Sequence, residues 1–267
     1  MALPEMAARI AGLSVILLGV VTIVAYALQR TLIYYPETAD FRTLEPLAAR
    51  NGLLPWLDAE GNFIGWRGRG TGVPVLLLHG NAGHSLHRSY FASRLHEAGV
   101  TPPLYILEYP GYGPRPGKPT ESNLVAAAVK AIDLLDQPVI LAGESLGTGV
   151  ACAAAAQRSE SIRGLLLITP FDSLITVAQK HYPLAPVNLI LKDRYESSRA
   201  LQKLSAPLAM IVAENDTVVP VDSAIKLFES YGGPKKLWRV PGSGHNDVLH
   251  AISDAELRTA CEFAGGR

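Results

Sequence analysis

The sequence predicts an α/β protein: a mostly parallel, doubly wound sheet with a small cap, preceded by an N-terminal transmembrane helix. Three observations predict it. Apolar runs of about five to eight residues end in Gly- or Pro-rich turns and alternate with longer helical segments, as a βαβ series requires. Those runs are apolar throughout rather than alternating, which suits parallel strands buried on both faces. The first thirty or so residues hold an uncharged apolar stretch.

That stretch runs from Ile10 to Leu28, flanked by Arg9 and by Gln29-Arg30. At about 1.5 Å of rise per residue it is long enough for a bilayer core. Only Ser14 and Thr22 interrupt it, so no polar stripe marks the amphipathic face of a soluble helix. Ala25-Tyr26-Ala27 has the small-x-small spacing of a signal-peptidase site, but the apolar run continues to Leu28, which favours a retained single-pass anchor. Arg9 on one flank faces Arg30 and Arg42 on the other, so the positive-inside rule leaves the side of the catalytic domain open. The expected organisation is an anchor over 1–31, a connector over 32–62 rich in Pro and Gly, and a catalytic domain over 63–267.

The strands are expected at Val73–Leu78, Leu104–Glu108, Pro138–Ala142, Leu165–Thr169, Leu208–Ala213 and Lys236–Val240. Ser122–Leu135 carries Leu124, Ala128, Ile132 and Leu135 at helical spacing, and Leu146–Gln157 is rich in alanine. A stretch at about 173–204 interrupts the series with Tyr182-Pro183-Leu184-Ala185-Pro186 and is read as the cap.

Composition narrows the partners. With 24 Lys and Arg against 24 Asp and Glu, the chain has no net formal charge and no basic stripe, so nucleic acid is excluded as a partner. Cys152 and Cys261 stand in no metal or redox spacing and are read as free thiols. His84 and His87 lie three apart, but no third ligand stands at metal-site spacing; they are read as solvated helix histidines, and neither metal nor cofactor is expected.

The chemistry concentrates at a few residues. Gly143-Glu144-Ser145-Leu146-Gly147 matches G-x-S-x-G between a strand and a helix, the setting of a nucleophile elbow. Ser145 needs a base, and of seven histidines His245 lies just after the last strand, in Gly242-Ser243-Gly244-His245-Asn246-Asp247. His250, inside the following helical segment, is the weaker choice. The third member is a carboxylate that orients the imidazole. Asp216 follows a buried strand in Ala213-Glu214-Asn215-Asp216, with Asp172 as its rival. The oxyanion hole is expected from the amides of Leu146 and of Asn81 in the Leu78-His79-Gly80-Asn81 turn. Tyr109-Pro110-Gly111-Tyr112-Gly113 is assigned no chemistry.

Taken together, His79–Gly83, Tyr109–Gly113, Gly143–Gly147, Pro170–Leu174, Asn215–Pro220 and Gly242–Asp247 resemble, in order and spacing, the Bem46-like group of α/β-hydrolases. The resemblance runs from about Leu32 to the C-terminus and includes the N-terminal membrane helix. It implies the α/β-hydrolase fold, a triad of Ser145, Asp216 and His245, and hydrolysis of carboxylic esters or thioesters; some members of the group remove acyl groups from lipidated proteins. Glu108 departs from the Asp common at that position.

The expected activity is therefore that of a membrane-anchored serine hydrolase acting on a small-molecule or lipid-linked acyl substrate. A peptidase or amidase built on the same triad, and a catalytically silent membrane-anchored scaffold, stand as alternatives. Oligomeric state is left open.

Overall fold

The computed structural model describes residues 3–266, with the side chains of 3–11, 14–16 and 18 outside that description. Helix α1 (Leu3–Ile33) extends the expected apolar segment at both ends. Among the described residues no helix is long and apolar enough to cross a membrane. The expected span at Ile10–Leu28 falls partly on side chains outside the description, so a transmembrane helix is not an element of the fold as described. Leu13, Leu17 and Ile23 of α1 are nonetheless exposed.

The expected connector is not a plain linker. It carries helix α2 (Phe41–Arg50), capped by the Asp40 carboxylate accepting from the Arg42 amide at 2.9 Å, and strand β1 (Leu53–Leu57). β1 forms a hairpin with β2 (Phe63–Gly68), closed where Asp58 Oδ1 accepts the Asn62 amide at 2.8 Å. Both strands are short and irregular in pattern, which hid them from the sequence.

The remaining elements follow the expected alternation: β3 (Val75–Leu78), α3 (Tyr90–Glu97), β4 (Leu104–Leu107), α4 (Glu121–Leu135), β5 (Val139–Glu144), α5 (Leu146–Gln157) and β6 (Ile162–Ile168). Then come α6 (Leu174–His181), α7 (Val187–Ile190) and α8 (Ser197–Leu201) in the cap stretch, and β7 (Leu208–Ala213), α9 (Val221–Ser230), β8 (Lys235–Val240), α10 (Val248–Ala251) and α11 (Asp254–Ala264). The sheet runs β1-β2-β4-β3-β5-β6-β7-β8; β1 and β2 pair antiparallel to their neighbours and the other six strands are parallel.

The period of two along each strand divides the core between the two faces of the sheet. Leu76, Leu78, Leu141, Leu167 and Met210 face α4, α5 and α9. Val75, Leu77, Ile140, Leu166 and Ile211 face α3, α10 and α11. Cys152 and Cys261 are free and buried in opposite halves, and burial pushes both thiols up to about 12, so neither is a thiolate at neutral pH.

The C-terminal end of α1 is fastened to the cap stretch. Arg30 Nε and Nη2 donate to the two carboxylate oxygens of Asp193 at 3.0 and 3.2 Å. The Tyr34 hydroxyl donates to Asp193 at 3.1 Å and shares a 2.9 Å hydrogen bond with Tyr195. Gln29 donates to Ile190 O at 3.0 Å and accepts from the Lys192 amide at 2.6 Å. Asp193 is buried and Arg30 half-exposed, so the value of this cluster lies less in the ion pair than in the buried hydroxyl that would lose its acceptor. Asp193→Ala is expected to lower stability by about 1–3 kcal/mol, the cost of an orphaned buried polar group. Urea unfolding followed by circular dichroism checks this through a lower midpoint at unchanged slope.

Candidate active site

Because β3, β5, β7 and β8 are parallel, their carboxyl ends share one edge of the sheet, and pairs such as Leu78 with Gly143 and Ala213 with Val240 keep those ends level. The loops that follow carry Asn81, Ser145, Asp216 and His245 in turn. Four segments distant in sequence therefore meet at the edge where doubly wound sheets bind ligands.

Ser145 sits between β5 and α5 with φ 50° and ψ −118°, a backbone conformation that costs a non-glycine residue of the order of 1–3 kcal/mol. The flanking glycines are required by contact rather than by dihedral. A Cβ on Gly147 would lie 2.0 Å from Leu78 O, and one on Gly143 would lie 2.8 Å from Gly147 O. Close packing of the α5 start on β3 thus leaves the turn no room for side chains on either side of the serine. Ser145 is also the N-cap of α5, so its oxygen stands at the positive end of that helix.

His245 Nε2 lies 2.9 Å from Ser145 Oγ, and its Nδ1 lies 2.7 Å from Asp216 Oδ2. Asp216 Oδ1 accepts the amides of Val218 and Val219, both at 2.8 Å, which fixes the carboxylate and leaves Oδ2 for the imidazole. The Asp216 side chain is buried and that of His245 is 10% exposed, so the chain of three is shielded from water while its serine end borders a cavity. The Asn215 amide donates to Ser243 O at 2.9 Å and ties the two loops together.

Asp172, the rival carboxylate, is engaged elsewhere. It accepts from the hydroxyls of Ser223 at 2.5 Å and Thr176 at 3.0 Å and pairs with Lys226 at 2.8 Å, joining the start of α6 to α9. His250 instead packs its ring against that of Tyr90, 5.4 Å between centroids, and the nitrogen at Ser145 Oγ is that of His245.

Asn81 and Leu146 both line the cavity beside Ser145. The Asn81 side chain is committed to the chain around it: Oδ1 accepts from the Tyr35 amide at 3.1 Å and the Tyr112 hydroxyl at 3.2 Å, and Nδ2 donates to Ile33 O. The backbone amides of Asn81 and Leu146 have no hydrogen-bond partner among the described residues. Two amides without acceptors, on residues that line the cavity with Ser145, are what an oxyanion would need.

Three supports of this loop were not legible in the sequence. Arg88 donates to Glu144 at 2.9 Å and to the carbonyls of Asn81 and Ala82 at 3.1 and 3.2 Å, and so bridges the residue before the serine to the Asn81 turn. Glu108, fully buried, accepts the Ser85 amide at 3.1 Å and its hydroxyl at 2.8 Å. Tyr109 donates to His79 O at 3.2 Å, and its ring packs on His79 at 4.2 Å. Burial raises the phenols of Tyr109 and Tyr112 well above the ordinary tyrosine range, so both remain protonated donors. Glu144 and Tyr109 lay inside motifs and Glu108 stands beside one, but their partners lie at distances that no local spacing marks.

The cavity holds ≈ 250 Å³ and is walled by Leu32 and Ile33 from the end of α1, by Leu174 and Val177 of α6, and by Phe171 and Val219. A larger hollow of ≈ 520 Å³ lies at the opposite, amino ends of the strands near Val75 and Ile140, remote from Ser145.

His84 is buried rather than solvated, which corrects the sequence expectation; its ring lies 3.8 Å from that of His87. Burial first, then His87, lowers its pKa, so the ring is neutral at pH 7.

If Arg88 positions the elbow, Arg88→Met should slow the reaction of Ser145 with an organophosphonate by about 10- to 100-fold, the scale of a small misplacement. Arg88→Lys should restore part of the rate, and half-saturation should change little. Timed labelling over a range of probe concentrations reads all three.

The family model described as "Alpha/beta hydrolase family" matches residues 75–196. An uncharacterized protein of Mycobacterium tuberculosis is 34% identical over 242 residues, covering 86% of this chain and 84% of its own. Protein bem46 of Schizosaccharomyces pombe is 26% identical over 200 residues, 71% of this chain and 66% of its own. Among solved structures, the monoacylglycerol lipase of Paleococcus ferrophilus superimposes with a TM-score of 0.56 at 21% identity, over 75% of this chain and 98% of its own, a likeness of fold. Sequence, sheet order and the strand-turn-helix at Ser145 agree: the chain belongs to the α/β-hydrolase family, in its Bem46-like group.

Proposed function

We propose that the chain is a membrane-tethered serine hydrolase that cleaves carboxylic esters or thioesters through an acyl-Ser145 intermediate. The observation that carries this reading is the continuous path from Ser145 Oγ to His245 at 2.9 Å and from His245 to Asp216 at 2.7 Å, opening on an apolar cavity.

In this reading Ser145 Oγ attacks the acyl carbonyl carbon while its proton passes to His245 Nε2. Asp216 holds the imidazole in the tautomer that presents Nε2 and stabilises the imidazolium that forms. The tetrahedral oxyanion is held by the amides of Asn81 and Leu146. Collapse expels the alcohol or thiol, which takes the proton back from His245. Water, deprotonated by His245, then attacks the acyl-serine; the acid leaves and the Ser145 hydroxyl is restored.

The cavity supports an acyl group over a peptide. Its walls are aliphatic and aromatic apart from Asn81, Ser145, His181 and Tyr182, and its ≈ 250 Å³ suits a chain of about eight carbons if a methylene takes roughly the volume of a water. A peptide backbone brought into the same walls would leave its amides unpaired. The tether rests on the uncharged sequence Ile10–Leu28 and on exposed Leu13, Leu17 and Ile23 of the same helix. Because Leu32 and Ile33 wall the cavity, the helix that would carry the chain to a bilayer also shapes the acyl site. This favours lipid-linked substrates presented at a membrane surface. The solved lipase with the same fold is named for monoacylglycerol, a substrate of this kind.

A fluorophosphonate probe should label the wild-type chain and fail to label Ser145→Ala; equal labelling of both removes Ser145 as the nucleophile. Among p-nitrophenyl esters of increasing chain length, kcat/KM should rise to a maximum at medium length, about six to ten carbons on the cavity-volume argument. A maximum at acetate, or faster cleavage of amides than of matched esters, overturns the acyl-ester reading.

A further inference from the structure

A second cluster of chemically capable side chains lies across the Asn81 loop from the triad. Glu37, from the segment between α1 and α2, meets His84 and His87, and one ligand atom from each lies within 4.8 Å of the others. We propose that Glu37, His84 and His87 form a binding site for a divalent metal ion of the zinc class, which clamps the segment after α1 onto the loop that carries Asn81.

The donor set selects the ion. Two imidazoles and one carboxylate suit zinc and its borderline neighbours, whereas calcium and magnesium require mostly oxygen ligands. Zinc bonds to such donors are about 2.0–2.2 Å long, so two donors on one ion stand no more than about 4.4 Å apart. The observed spread of 4.8 Å closes with a small movement of His87 and Glu37, whose side chains are 46% and 57% exposed and free to adjust. His87 Nε2 already faces Glu37 Oε2 at 4.0 Å.

His84 supplies the independent observation. It is 4% exposed, and its Nδ1 is buried with no hydrogen-bond partner. A buried polar nitrogen left unpaired costs about 1–3 kcal/mol, so such groups usually have a partner that completes them. Its ring lies 3.8 Å from that of His87, and no hydrogen bond reaches either imidazole among the described residues.

The backbone holds the ligands in place beforehand. The Glu37 amide donates to Gly83 O at 2.9 Å, the Gly83 amide to Tyr35 O at 3.2 Å, and the Gly113 amide to Glu37 O at 2.8 Å. Gly83 has φ +78°, and a Cβ there would lie 2.2 Å from His87 Nδ1; this packing turns the other nitrogen of His87 outward toward Glu37. The same segment places the Tyr35 amide on Asn81 Oδ1 at 3.1 Å. An ion at the cluster would therefore rigidify the Asn81 turn, which lines the cavity with Ser145, while binding itself is independent of the serine chemistry.

The test uses the full chain, stripped with a chelator and titrated with Co(II), whose visible absorption reports a closed nitrogen and oxygen coordination sphere. One saturable equivalent is expected, displaced by Zn(II) and left in place by equal Ca(II) or Mg(II). His87→Ala and Glu37→Gln alter half-exposed side chains and leave the buried His84 intact; each should weaken binding by about tenfold or more, since even outer partners of metal sites are worth that much. Zn(II) should raise the melting temperature of the wild type and not of the variants. Absence of saturable absorption overturns the site, as does unchanged affinity in either variant.

Discussion

The tight packing of the α5 start against the end of β3 is the constraint on which the rest depends. With Leu78 O only 2.0 Å from where a Gly147 side chain would begin, the chain after β5 has one way to turn, and Ser145 takes the strained φ of 50° at the top of that turn. Strain of this kind persists only where surrounding contacts over-determine it. Here they come from β3 beneath, from α5 behind, and from the Ser145 amide, which donates to Ile168 O at 2.9 Å. The register of the parallel strands then brings the Asp216 and His245 loops level with the serine.

The second organising feature is the polypeptide before the sheet. The end of α1 closes one wall of the cavity through Leu32 and Ile33, is fastened to the cap through Arg30 and Tyr34, and hands on to a segment that pairs with the Asn81 loop at Pro36 and Gly83. A change in how α1 is held is thus felt both at the cavity beside Ser145 and at the Asn81 loop. If the helix meets a bilayer, as proposed, substrate delivery and site geometry share one element.

Much of this was legible in the residues. Continuous apolar runs located the six parallel strands, and Leu208–Ala213 and Leu146–Gln157 match the observed elements end for end, because burial on both faces and a run of alanines are strong local signals. Ser145, Asp216 and His245, which the structure brings within hydrogen-bond reach of one another, could be read together because the fold fixes the order of their loops. β1, β2 and α2 were missed because Pro55, Gly65 and Pro46 break the patterns that mark strands and helices, and their stability comes from the neighbours they pair with. The roles of Arg88, Glu108 and Glu37 were hidden for a related reason: each acts through partners between 23 and 56 residues away or through a loop brought alongside by the sheet. His84 read as solvated because nothing in its own neighbourhood announces the segment that covers it.

The most direct test of the proposed chemistry is rapid-quench intact-protein mass spectrometry during turnover of a medium-chain p-nitrophenyl ester. The account predicts one acyl group per chain, mapped to the peptide bearing Ser145, formed in a burst that matches the first equivalent of p-nitrophenol. Steady hydrolysis with no acyl adduct, or an adduct on a residue other than Ser145, would contradict it.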